Sequence, residues 1–259
     1  MKKIWGICLG IVFVLGMASS VSATPSTQIW IPSTDVQPYG TFHFGIDHYT
    51  TVFRTAEDGA HDFPTDYGLT VGVLPFEKLQ LELGVDLFEP TDDPLSFNAK
   101  LGVPEEAFGK YFPAVAVGGF GFGAETDSKT DPHTDFNIVY GEVAKKFPII
   151  GRLSAGYYIG NDELLLDADG QIHDRGVLLS WDRTMPEISE NLWLAVDYQS
   201  GDNGFGAMSA GGCWAFSKNV SLIVGYVFFN DDDLMGKDTI TTQLDINFGD
   251  GFLFHHDHD

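Results

Sequence analysis

The stretch Tyr67-Gly-Leu-Thr-Val-Gly-Val-Leu-Pro-Phe-Glu-Lys-Leu-Gln-Leu-Glu-Leu-Gly-Val-Asp-Leu-Phe88 decides the fold. In its second arm Leu79, Leu81, Leu83, Val85 and Leu87 alternate with Gln80, Glu82, Gly84 and Asp86. In its first arm Tyr67, Leu69, Val71 and Val73 alternate with Gly68, Thr70 and Gly72. A period of two puts one set on each face of a strand. Pro75 falls in the short connection, where its missing N–H disturbs no ladder. The stretch is an antiparallel hairpin with one apolar and one polar face.

The same pattern recurs along the chain. Working outward from the hairpin, we count about twelve strand segments between Thr41 and Phe248. Thr239–Phe248 is the cleanest, with Ile240, Thr242, Leu244, Ile246 and Phe248 against Thr241, Gln243, Asp245 and Asn247. Leu95–Val103, Gly151–Ile159 and Val220–Phe229 are similar, whereas Pro113–Gly123 and Phe136–Ala144 leave their facing ambiguous. Most segments approach the roughly 9–11 residues that a tilted strand needs to cross a bilayer.

Upstream, Lys2 and Lys3 precede an apolar run, Ile4–Met17, and a small-residue cleavage pattern, Val21-Ser22-Ala23. That is an export signal, too short for a membrane helix of about 20 residues. Residues 1–23 are read as the signal peptide and Cys8 goes with it, leaving Cys213 without a disulfide partner. Residues 24–40 are Pro-rich and aperiodic, and are assigned as a periplasmic lead-in. Residues 41–248 form the barrel and residues 249–259 a His/Asp-rich tail. No later stretch is long and apolar enough for a helix, so strands must do any crossing. An open sheet edge is not tolerated in lipid, so the sheet must close. The expected fold is all-β, a transmembrane antiparallel up-and-down β-barrel of about 12 strands.

The charge sorts with this topology. Against 37 acids the chain has 14 bases, two of them in the signal, so the mature charge is 12 − 37 = −25. That balance excludes a nucleic-acid partner. One set of connections, the longer one, holds 21 acids and four bases; the alternating short set holds five acids and six bases. The barrel thus has one acidic rim and one nearly neutral rim. Trp181, Trp214 and Phe216 fall near the turn ends, and Tyr67, Tyr157 and Tyr198 nearer the loop ends, as interfacial belts would. Trp193 is the exception, since its alternation turns it inward.

Together the leader, the alternating hairpins and the aromatic belts resemble the small single-chain, porin-like outer-membrane β-barrels of Gram-negative bacteria. The resemblance covers the mature chain. It implies a place in the cell outer membrane, contact with outer-membrane lipid and lipopolysaccharide, and handling by the barrel-assembly machinery. It implies no particular activity. The chain departs from the pattern in not ending on its last aromatic strand residue, Phe248.

The polar faces supply lumen-lining candidates: Asp47, Glu82, Asp86, Lys100, Arg152, Asp182, Asp197 and Asp245. Six acids against two bases favour cations, provided that the side chains do not pair off and plug the lumen. The expected function is a small porin-like channel for cations or small neutral solutes. The alternative is a non-conducting structural or surface-interaction barrel, with divalent cations as candidate partners of its acidic external loops. Asp167 and Asp169 form only a fragment of a calcium loop, and Asp-Gly is also a common turn. His255, His256 and His258 are weak transition-metal candidates in a terminal tail. No cofactor motif and no catalytic spacing stands out, His48 and Ser180 included, so an enzyme ranks last. Cys213 faces inward among small residues and reads as inert.

Overall fold

The computed structural model describes residues 26–51, 65–89, 91, 93–123, 133–235 and 238–249. The expected signal peptide, His255, His256 and His258 lie outside them. The strands are β1 (Phe42–Thr51), β2 (Thr65–Gly72), β3 (Gln80–Glu89), β4 (Leu95–Val103), β5 (Ala114–Phe120) and β6 (Ile138–Phe147). Then come β7 (Gly151–Ile159), β8 (Arg175–Thr184), β9 (Leu192–Gln199), β10 (Ala207–Ser217), β11 (Val220–Phe229) and β12 (Thr239–Phe248). One helical turn, Asp232–Met235, lies in the last loop. Each strand pairs antiparallel with its sequence neighbours, and β1 pairs with β12, so the sheet is a closed barrel. The closing ladder runs from Phe42 opposite Phe248 to Thr51 opposite Thr239, with the Phe42 and Phe248 rings stacked.

Alternation fixes the two surfaces. Leu69, Leu83, Leu101, Val143, Leu179 and Val224 point outward, each between 36% and 50% exposed. The intervening Thr70, Glu82, Lys100, Glu142, Ser180 and Gln243 are buried inside. This inverts the usual globular arrangement. A continuous apolar band on the outside of a protein needs an apolar medium, and a closed sheet satisfies every ladder hydrogen bond in it.

Two expectations need correction. The lead-in expected over residues 24–40 does not stay outside the barrel in its described part. From Gly40 the chain turns back and runs up inside, burying Ile29, Ile31 and Val36 together with Gln28, Ser33, Thr34 and Gln37. The reason is apolar: Ile29 and Ile31 would otherwise face water, and burying each such side chain contributes about 1.5–3 kcal/mol. The second correction concerns Asp66, which the alternation leaves as the last residue of the longer connection 54–66. It belongs to β2, directly opposite Asp47 of β1.

The ambiguous facing of β6 has a physical cause. Its inward residues include Ile138 and Tyr140, which pack with Ile31, Tyr158, Leu165 and Leu178. The internal segment makes part of the inner wall apolar, so both faces of β6 carry apolar side chains.

Arginine at Leu83 or Val224, on the lipid face, is expected to destabilise the folded barrel by roughly 2–4 kcal/mol. Arginine at Gln80, on the inner face at the turn end, is expected to cost far less. Urea unfolding in bilayers, followed by heat-modifiable gel migration, measures the difference. Equal costs would mean that the facing of β3 is wrong.

Candidate functional site in the lumen

Cross-strand register sets the chemistry of the lumen. Glu82 lies opposite Lys100, and Arg152 opposite Asp182. Both pairs form ion pairs, Lys100 Nζ to Glu82 Oε1 at 3.2 Å and Arg152 Nε to Asp182 Oδ1 at 2.8 Å. Asp197 lies opposite Ser209 and accepts its hydroxyl hydrogen bond. Asp245 lies opposite Ser221 and accepts in the same way, at 3.2 Å, with His43 Nε2 at 3.6 Å on its other side. Opposed side chains on one face of an antiparallel pair lie within reach of each other, so these couplings follow from register alone.

The internal segment completes these pairs. Residues 26–33 fold into a small turn, in which Gln28 N donates to Ile31 O at 2.8 Å and Ser33 N to Ser26 O at 3.1 Å. At its tip, Ile29 N and Trp30 N both donate to Asp197 Oδ2, at 2.8 and 3.0 Å. Gln243 Nε2 donates to Ile29 O at 2.7 Å. Lower down, Lys100 Nζ donates to Ser26 O and Ser33 O, while Gln37 N donates to Glu82 Oε2. Arg152 reaches Asp35 with its other arm, and Gln28 Nε2 donates to Asp182 Oδ1 at 3.2 Å. The two bases among the candidates are therefore both committed to acids and to the segment.

The apolar contacts are as specific. Ile29 packs with Trp193, Ala195, Cys213 and Ile223. The Trp193 ring also donates from Nε1 to Asp182 Oδ2 at 3.1 Å, which accounts for the one tryptophan of the described strands that faces inward. Trp30 meets Tyr49 and Phe229 edge to face, with ring centroids 5.5 and 5.7 Å away, and donates from Nε1 to Phe205 O.

Between the segment and the wall formed by β1 to β5 lies a cavity of about 260 Å³. Five acids line it, Asp47, Asp66, Glu82, Asp86 and Asp245, together with Lys100 and His43; Glu82 is paired with Lys100, and Asp245 lies beside His43. Asp86 Oδ2 accepts from Asn98 Nδ2 at 2.7 Å, while Asp47 lies opposite Asp66 on one side and Gln243 on the other. Trp30, Tyr49, Phe88, Phe120 and Phe205 supply aromatic wall.

All eight lumen candidates project inward, but they divide. Asp47 and Asp86 face the cavity, Arg152, Asp182 and Asp197 hold the segment, and Glu82, Lys100 and Asp245 do both or lie beside it. The sequence reading missed Asp35, Asp66 and Glu142. A signal for the segment was present in Ile29-Trp30-Ile31, an apolar triplet that a solvated lead-in has no use for. Of the weak metal candidates, Asp167 uses Oδ1 to accept from the backbone N–H groups of Asp169 and Gln171, which closes its own turn. His48 is exposed on the outer face, bonded to Thr65, whereas Ser180 is buried on the inner face. The wall separates them.

No family model and no curated protein matches the sequence. Among solved structures the chain is similar in fold to outer-membrane porins and channels. The KdgM porin has a TM-score of 0.49 and 9% identity, over 80% of this chain and 99% of that one. The COG4313 outer membrane channel from Pseudomonas putida F1 has a TM-score of 0.49 and 12% identity, over 88% and 100%. The outer membrane phospholipase A from Escherichia coli has a TM-score of 0.44 and 8% identity, over 83% and 95%.

Lys100→Met leaves Glu82 as an uncompensated buried charge and is expected to cost about 3–5 kcal/mol of barrel stability. Adding Glu82→Gln removes that charge and is expected to restore most of the loss. Denaturant midpoints of the single and double variants give the coupling. Additive losses would mean that the pair is not energetically linked.

Proposed function

We propose that the chain is a porin-like channel of the bacterial outer membrane, favouring cations or small neutral solutes. The band of outward apolar residues supports the membrane part of this reading, because nothing else in a closed barrel would need it. The preference for cations rests on one observation. Register places Asp47 and Asp66 face to face, with Asp86 on the same cavity wall, while Lys100 on that wall is paired with Glu82, and Arg152 with Asp35 and Asp182. Like charges directly opposite one another destabilise a sheet. A cation that shares their field offsets that cost, and an anion increases it. Low-dielectric walls strengthen the bias.

The filled lumen supports a second reading, a non-conducting structural barrel whose segment never leaves. Planar-bilayer recording separates the two. Reversal potentials under a salt gradient are expected to show cation preference, stronger at low salt, where screening over a Debye length of about 10 Å at 0.1 M is relieved. Changing Asp47, Asp66 and Asp86 together to Asn is expected to reduce that preference more than changing Asp231, Asp232 and Asp233, which lie in a solvated loop. Anion preference in the unmodified protein would overturn the ion assignment, and silence under every condition would favour the structural barrel.

A further inference from the structure

We propose that Ser26–Pro38 is a displaceable plug, hinged at Gly40, which closes the lumen when seated and opens it on leaving. The inference rests on the channel reading above and adds the moving part.

The wall is complete without the segment. All twelve strands are paired on both sides, and the segment adds no strand to any of them. Its bonds from backbone to backbone are internal to its turn or belong to the hinge, where Gly40 N donates to Gly72 O at 2.9 Å and Thr41 N to Pro38 O at 3.0 Å; further backbone groups of the segment bond to side chains of the wall. Gly40 has a φ of +73°, a left-handed conformation that glycine adopts freely, and it reverses the chain from wall to lumen. Removing the segment breaks no ladder.

The seat is cut into the wall. A Cβ at Gly225 of β11 would come within 2.8 Å of Ile29 Cγ2, and one at Gly102 of β4 within 2.6 Å of Val36 Cγ2. A Cβ at Gly72 of β2 would strike the backbone carbonyls of Gln37 and Pro38. These three glycines leave room for the segment along its length.

The seat is also polar. The wall groups that hold the segment are Asp197, Gln243, Glu82, Lys100, Arg152 and Asp182. Water can replace the segment at each of them, so unseating does not strand a buried charge in an apolar medium. A segment meant to stay would be held better by an apolar wall, and here the apolar seating is confined to Ile29, Trp30, Ile31 and Val36.

Cys213 reports the motion. It is fully buried on the inner wall and packs in the cluster that receives Ile29. Unseating exposes it to the lumen.

The mature chain from Thr24, in which Cys213 is the single thiol, is refolded into lipid vesicles, checked by heat-modifiable migration, and compared with Gly225→Leu, which fills the place of Ile29, and Arg152→Gln, which releases Asp35. The probe is a charged, water-soluble methanethiosulfonate. Modification of Cys213 is expected to be at least tenfold faster in both variants, with more frequent channel openings. In Ile29→Cys, oxidation joins residue 29 to Cys213, which is expected to suppress openings until a reductant restores them. Cys213 remaining as slow in both folded variants as in the parent would overturn the plug. So would a cross-linked Ile29→Cys chain that opens as often as its reduced form. Fast labelling without any conductance would support the plug and sink the channel reading alone.

Discussion

Everything in this molecule depends on the ladder between the first and last strands. A sheet surrounded by hydrocarbon cannot leave a row of N–H and C=O groups unpaired, since each would cost several kcal/mol. The β1–β12 pairing, ten residue pairs long, removes the only two edges the sheet has. Once it forms, an inside and an outside exist, and strict alternation sends one half of each strand to each. The apolar band, the polar wall and the aromatic rims follow from that single closure.

Closure also creates a problem that the N-terminal segment answers. A barrel of this size encloses a wall rich in charged groups. Cross-strand pairing satisfies part of it, as with Glu82 and Lys100 or Arg152 and Asp182. Asp197, besides its cross-strand Ser209, and Gln243 find main-chain partners at Ile29 and Trp30. The segment brings Ile29, Trp30, Ile31 and Val36 into this setting, and the wall meets them locally with residues that include Trp193, Cys213, Ile223, Ile138, Leu178 and Tyr49. The lumen is therefore a patchwork, apolar where the segment presses and acidic where β1, β2 and β3 face the cavity.

How much of this was legible in the sequence follows from the range of the interactions. The hairpin at Tyr67–Phe88 declares itself, because alternation is a local property. Leu95–Val103, Gly151–Ile159, Val220–Phe229 and Thr239–Phe248 have the boundaries the pattern gave them. β5 was blurred by Gly118 and Gly119 and by the break in pairing at Gly121, and β6 by the apolar inner patch under Ile31. The inward placement of Asp182 and Asp197 could be read from period alone, but their partners could not. Those partners are Gln28 and Arg152 for one, and Ile29 and Trp30 for the other, separated by up to 168 residues, and no local signal encodes such a distance.

The same distances impose an order on assembly. The segment is the first described part of the chain, yet its seat is built from strands that run from β2 to β12. Its bond to Gln243 spans 214 residues, nearly the whole barrel. The seat has no complete form until the last strand is in place, so docking of the segment belongs to the end of folding, after contacts of long sequence separation have been made. A wall that closes before the segment docks would have an empty interior. Assembly and opening would then share one intermediate, visited once from the unfolded side and afterwards from the folded side.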